Sequence, residues 1–184
     1  MVITVDGHFN KFFESIKLDD EFIEKMRGRR DVIEGAIKKK FGYQVHSLLV
    51  GSYGRHTAAR GSDIDLAVIL PDCYYQQFTN HIWNGQSHLL QTVKNAIQTT
   101  YRNTDINADG QIVSVKFSDG QLFEILPAFN SGAYGNSLYY PDTHNNGTWK
   151  TTYPRSEINA VSNINQSTNG RFYDICRVIR IWNK

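Results

Sequence analysis

The chain has little cysteine: Cys73 and Cys176 are its only two, far apart and with no CxxC spacing. That argues against a disulfide framework or a cysteine zinc site, and leaves two inert thiols in a reducing compartment as the expectation. It lacks any apolar run near the ~20 residues of a membrane-spanning helix. The amino-terminal MVITVDGHFNKFF has no apolar core of signal-peptide length. A strong charge of one sign is also missing, because the formal net charge is only +2. Charge therefore gives no indication of a nucleic-acid or membrane surface as partner. No internal repeat or low-complexity segment is visible. The remainder is ordinary globular material, 40% hydrophobic and 184 residues long, enough for one well-buried domain. A soluble, cytoplasmic protein with no membrane partner is expected.

Periodicity then divides the chain. Residues 8–40 read as helical, with Phe9, Phe12, Phe13 and Ile16 on one face and Phe22, Ile23, Met26, Val32, Ile33 and Ile37 recurring behind them. Lys38-Lys39-Lys40 closes that region, as cations do at helix ends. QVHSLLV (44–50) and IDLAVIL (64–70) read as strands, the second apolar enough to be buried on both faces. Residues 86–101 form a helical pattern. QIVSVKF and QLFEILPAF then read as two strands joined by the hairpin turn Ser118-Asp119-Gly120. Residues 130–154 have no period and read as a long loop, which in a compact domain implies binding. A helix follows Pro154 over 155–164, and a last one runs from about Gly170 to the end. That last helix is apolar through Phe172, Ile175, Cys176, Val178, Ile179 and Trp182, and it stops with no capping glycine. Two readings stay open: a terminal helix packed on the sheet, or a chain cut before a helical second half.

Chemistry concentrates in GSYGRHTAARGSDIDLAVILP. Gly51-Ser52 directly follows a strand, and Asp63-Ile64-Asp65 opens the next one. Side chains alternate along a strand, so Asp63 and Asp65 project to one side, about 7 Å apart, while Ile64 points into the core. Two ionised carboxylates facing the same way repel unless a cation lies between them. Hard oxygen donors suit Mg²⁺ or Mn²⁺, which bind through one or two carboxylates plus substrate phosphates. Gly51 lets the backbone approach a phosphate, and Ser52 offers a hydroxyl and an N–H. Arg55 and Arg60 supply charge for a triphosphate.

This joint pattern resembles the DNA polymerase β-like nucleotidyltransferase superfamily, hG[GS] followed after about ten residues by DhDh, where h is apolar. That superfamily carries a third carboxylate on a later strand, and Glu124 in LFEILPAF stands at the matching position. The usual residue there is Asp, so the longer Glu is a departure. Parity puts Glu124 on a face with Leu122 and Leu126, where an unpaired charge is costly. A narrower resemblance joins the first motif to Pro127-Ala128-Phe129, WKTTYPR (149–155) and the terminal RVIRIWNK. Together they resemble the bacterial cGAS/DncV-like nucleotidyltransferases (CD-NTases), the oligonucleotide cyclases of CBASS anti-phage defence.

The resemblance implies an α+β fold, a polymerase β-like core in which helices flank a mixed central sheet, with N-terminal helices and a C-terminal connecting helix. Residues 1–184 would be the nucleotidyltransferase catalytic domain, which continues in that family into a C-terminal helical domain. It implies synthesis of cyclic di- or trinucleotide second messengers from nucleoside triphosphates, with two Mg²⁺ or Mn²⁺ ions held by Asp63, Asp65 and Glu124. Glu124 would double as general base, and a regulatory protein partner is implied. Lys150 and Arg155 are candidates for phosphate contacts, Tyr139, Tyr140 and Tyr153 for stacking on a base, Asn145 and Asn146 for reading its edge. His56 lies beside the phosphate loop, as a ligand contact or a structural hydrogen bond. Transfer to a protein, tRNA or small-molecule acceptor stays open, as does a truncated domain that binds nucleotide without turnover.

Overall fold

The helical periodicity of residues 8–40 is interrupted at Asp19 in the computed structural model, which describes residues 5–132 and 136–183. The helical region holds two helices, in keeping with the expected N-terminal helices: α1 (Val5–Ile16) and α2 (Asp20–Phe41). Asp19 is extended, and its carboxylate accepts the Phe22 N–H at 2.8 Å. It is therefore an N-cap, and Asp20, Glu21 and the terminal lysines suit the helix dipole at each end. Of the expected α1 stripe only Ile16 is buried, whereas Phe9 and Phe12 are exposed.

The chain continues through β1 (His46–Leu49), a short helix α3 (Gly51–Gly54) and β2 (Ile64–Ile69), then α4 (Cys73–Thr79) and α5 (Gly85–Gln98). It goes on through β3 (Asp105–Asp109), β4 (Ile112–Lys116) and β5 (Leu122–Ser131). The expected long loop is corrected. Apart from residues 133–135, which lie outside the described residues, it holds a hairpin of β6 (Ser137–Asp142) and β7 (Thr148–Thr152). The turn between them places Asn145, Asn146 and Gly147 at φ values of 52°, 66° and 87°. Asn and Gly tolerate that left-handed backbone best. Tyr139 and Trp149 fold the hairpin onto Tyr75, with ring centroids 5.5 and 4.9 Å away. Tyr139 is thus a packing residue of the hairpin, as loop tyrosines commonly are.

The helices α6 (Pro154–Ser167) and α7 (Arg171–Trp182) end the described chain. No residue of α7 is buried, and its main neighbours are α1 and α6, so it is not packed on the sheet. Ile179 and Trp182 face outward. Among the described residues no helix is long and apolar enough to cross a membrane.

The strands run in the order β1-β2-β5-β4-β3, with β6 on β5 and β7 on β6. Among the described residues β2 and β5 alone pair in parallel, so the sheet is mixed. Parity then divides it by face. Ile64, Leu66 and Val68 of β2, with Phe123 and Ile125 of β5, face a large core built with Ile33, Ile37, Leu89, Val93 and Ile97 of α2 and α5. Truncating one of them to Ala should cost about 2–5 kcal/mol. The opposite face carries a thin apolar cluster of Ala67, Ile69, Ala128 and Leu138. By the same alternation Asp65 and Glu124 belong to that thinner face, at the strand ends where the apolar cover stops.

Candidate active site

The parallel register sets Asp65 directly beside Glu124. Their carboxyls share a hydrogen bond that lowers the pKa of Asp65 and raises that of Glu124. Burial pushes both above the usual carboxylate range. The Glu124–Asp65 hydrogen bond and the Ser52 N–H pull Asp65 partly back, and the charge of Asp65 raises Glu124 further. The charge of Asp63 raises both as well. Protein groups nearby thus leave this acidic pair short of positive charge.

The turn after β1 closes on the same carboxylate. Val50 N–H donates to the Asp65 carbonyl at 2.9 Å, bringing Gly51 over the strand end. Gly51 has φ +57°, and a Cβ built there would lie 1.8 Å from Asp65 Oδ2. Only glycine combines that backbone with that approach. Ser52 is buried, and its N–H points to the Asp65 carboxylate. The Gly-Ser pair therefore first shapes the acid's surroundings, before any contact with phosphate.

Asp63 is within Coulomb reach of both acids. It lies one residue before β2 and is exposed, and it lines a neighbouring cleft with Arg60 and Gln121 instead of the one that holds Asp65 and Glu124. Its segment is tied to β5 by Gln121, whose side-chain amide donates to the Ser62 carbonyl at 3.0 Å and to the Leu122 carbonyl at 3.1 Å. Nothing in the local sequence marks Gln121 for this role; only the closed sheet brings it there. Tyr53, also unassigned by sequence, has a buried hydroxyl with no hydrogen-bond partner, pushed up to about 12 by burial and by Asp63.

Among the described residues, no three of His, Cys, Asp or Glu are grouped as a ready cage for a metal ion. Two touching carboxylates and a third within Coulomb reach suit a cation whose remaining ligands arrive with substrate phosphates. The donor set fits Mg²⁺ on that basis: oxygen only, acidic and short of compensating charge.

The cleft over Asp65 and Glu124 has a volume of about 380 Å³ and is also lined by Gly51, Arg55, Thr152 and Glu157. Arg55 therefore joins the acidic pair. Arg60 forms an ion pair with Asp19 at 2.8 Å and lines the Asp63 cleft. Tyr153 is 55% exposed, between the cleft residues Thr152 and Pro154. Lys150 is ion-paired with Asp142, and Asn145 and Asn146 form the β6–β7 turn; none of these lines the cleft. Arg155 and Tyr140 do not line it either. His56 holds α7, its carbonyl accepting from Arg177 at 2.8 Å and its ring lying 5.6 Å from Tyr173. Sequence reasoning missed Thr152 and Glu157, whose only sequence signal was their place around a helix-starting proline.

Comparison with known proteins agrees with this geometry. Residues 3–165 match the family model described as the Second Messenger Oligonucleotide or Dinucleotide Synthetase domain. A cyclic AMP-AMP-AMP synthase of an Acinetobacter strain is 30% identical over 189 residues, covering all of this chain and 53% of that protein. A probable cyclic nucleotide synthase of Bacillus cereus is 26% identical over 221 residues, covering all of this chain and 66% of the other. The chain thus spans between about half and two thirds of the length of these relatives. Among solved structures, the Elizabethkingia meningoseptica CdnE cyclic dinucleotide synthase with GTP and Apcpp superposes with a TM-score of 0.66 at 17% identity, over 85% of this chain and 58% of that one. The E. coli CdnC:HORMA-deltaN complex gives 0.65 at 16%, over 97% and 56%. At such identities the likeness establishes the fold, a polymerase β-like core.

Proposed function

This chain belongs to the Second Messenger Oligonucleotide or Dinucleotide Synthetase family, the CD-NTases, and on that premise we propose that it is the catalytic domain of a cyclic oligonucleotide synthase acting on nucleoside triphosphates. The observation that carries the reading is the Asp65–Glu124 pair, held side by side by a parallel register under the Gly51-Ser52 turn. ATP is the first substrate to test, because the Acinetobacter relative is a cyclic AMP-AMP-AMP synthase.

The chain's residues divide the work as follows. Gly51 admits the donor triphosphate close to the strand ends, and Ser52 and Arg55 contact its oxygens. Arg60 steers the same charge from the neighbouring cleft. Asp63, Asp65 and Glu124 would hold two divalent cations, which when bound neutralise phosphate charge and acidify the acceptor hydroxyl. Glu124, whose affinity for protons is raised by burial and by Asp65, takes the proton of the acceptor ribose hydroxyl. The hydroxyl oxygen bonds to the α-phosphorus as the bridging α–β P–O bond breaks, and pyrophosphate leaves. Each further transfer adds a nucleotide, and a last one within the linear product closes the ring. Tyr153, beside the cleft, is the residue proposed to stack on a base, while Lys150 and Asn145 bear on nucleotide only if the hairpin turns inward. The cellular setting proposed is anti-phage signalling under a regulatory protein partner.

Incubation of the protein with labelled ATP, GTP, CTP and UTP and Mg²⁺ tests the proposal. Phosphatase-resistant products formed with release of pyrophosphate are expected, lost on chelation by EDTA. Label transferred only to protein or tRNA would replace the cyclase reading by one of acceptor modification. The same assay on a chain extended past Lys184 reports whether these residues suffice.

A further inference from the structure

The two arginines of the loop after Ser52 are each held by an acid at the start of a flanking helix. Arg60 pairs with Asp19, the N-cap of α2. Arg55 Nη1 donates to Glu157 Oε2, in the first turn of α6, at 3.0 Å. The second pair has the more pointed position, because Arg55, Glu157, Asp65 and Glu124 line one cleft. Burial raises Asp65, and the Arg55 charge works against that rise, so the guanidinium stands within the field of the acidic pair as well as in contact with Glu157.

We propose that the Arg55–Glu157 ion pair is a latch across this cleft. Glu157 acts as a positioning residue, holding the guanidinium until a nucleoside triphosphate displaces it. The proposal rests on the nucleotide-site reading above and adds a competing internal anion to it. A guanidinium engages carboxylate and phosphate through the same N–H fork, so the two anions compete for one set of donors. The triphosphate brings several charges against one. The pair is also loosely held: the Arg55 side chain is 28% exposed and the Glu157 side chain 54%, so solvent and salt screen it. Releasing Glu157 costs little, since a carboxylate in the first turn of a helix stays favoured by the helix dipole. The pair joins residues 102 positions apart and ties the turn after β1 to α6. Nucleotide entry would therefore be felt at α6, and through it at α7, which packs against that helix.

Isothermal titration of ATP with Mg²⁺ into wild type, Glu157→Gln, Arg55→Gln and the double variant tests this. Glu157→Gln is expected to bind ATP about two- to fivefold more tightly, and Arg55→Gln about tenfold more weakly. The double variant should match Arg55→Gln, because Glu157 acts only through Arg55. A gain of the same size in the Arg55→Gln background would mean a general field effect and overturn the latch. Weaker or unchanged binding by Glu157→Gln would overturn it too. Should Arg55→Gln not fold, Arg55→Lys replaces it, and the Glu157→Gln gain should shrink in that background for want of the fork. Wild type that binds no ATP with Mg²⁺ would overturn the nucleotide reading itself, whereas binding without coupling would overturn the latch alone.

Discussion

Asp119 and Asp142 stand in the β4–β5 and β6–β7 hairpins, and Asp65 and Glu124 stand near the starts of β2 and β5, yet the two sets live under opposite conditions. Asp119 is met by Lys25 at 2.7 Å, by Arg29 at 3.1 Å and by the Gln121 N–H. Asp142 is met by Lys150, by the His144 N–H and ring, and by the Gln111 amide. Those partners hold both well below the usual carboxylate range. Asp65 and Glu124 have chiefly each other, and burial pushes both up. Carboxylates compensated by the protein do structural work, Asp119 fastening its hairpin to α2 and Asp142 joining β6 to Lys150 of β7 and to Gln111. Carboxylates left uncompensated are available to a cation from outside.

The largest effect that tests this contrast is on turnover. Asp65→Asn and Glu124→Gln should each lower product formation on the order of a thousandfold or more. Asp119→Asn should leave the rate within about threefold in the same labelled-nucleotide assay. Equal losses would erase the distinction. Gly51→Ala comes next. Its Cβ would have to displace the Asp65 carboxylate, so a rate loss of about 100-fold is expected. The left-handed backbone adds a stability cost of about 1–2 kcal/mol, measurable by denaturant titration.

Stability against pH should move in opposite directions for the two sets. A depressed acid such as Asp119 contributes stability above its ordinary value near 4, lost as pH falls below it. Asp119→Asn should thus lower stability at neutral pH by about 1 kcal/mol or less, read as a lower melting temperature, and this deficit should vanish in acid. A raised acid such as Glu124 costs stability once it is ionised. Glu124→Gln should therefore raise the melting temperature at pH 7, by about 2–4 °C, and that gain should fade as pH drops toward 4.5. Matching signs for the two variants would break the comparison. The smallest effect concerns Lys150. With its charge engaged by Asp142, Lys150→Met should leave the ATP dissociation constant within about twofold, and a tenfold loss would restore Lys150 to phosphate binding.

Much of this corner was legible because its rules are local. Strand alternation placed Ile64 in the core and set Glu124 apart from buried Phe123 and Ile125. Asp63 stands one residue before the strand, where alternation governs less strictly. Asp19 was hidden inside a helical period, since its capping depends on one residue's backbone more than on hydrophobic spacing. The β6–β7 hairpin was missed because Pro141, Asn145 and Gly147 mask a short Tyr–Thr alternation, although Asn-Asn-Gly is itself a hairpin signal. Glu157 and Gln121 were beyond reach: each matters through a partner far along the chain.

Gln121 also sets the order in which this site comes into being. Its bond to Ser62 joins residues 59 positions apart, with β2, two helices and a hairpin between them. A contact of that separation forms late, after the local pieces have collapsed, because its loop-closure entropy comes before any reward. Asp65 and Glu124 meet only when β5 docks beside β2. During refolding, recovery of nucleotide binding should trail the return of helical signal, so a half-folded chain is helical before it is chemically competent.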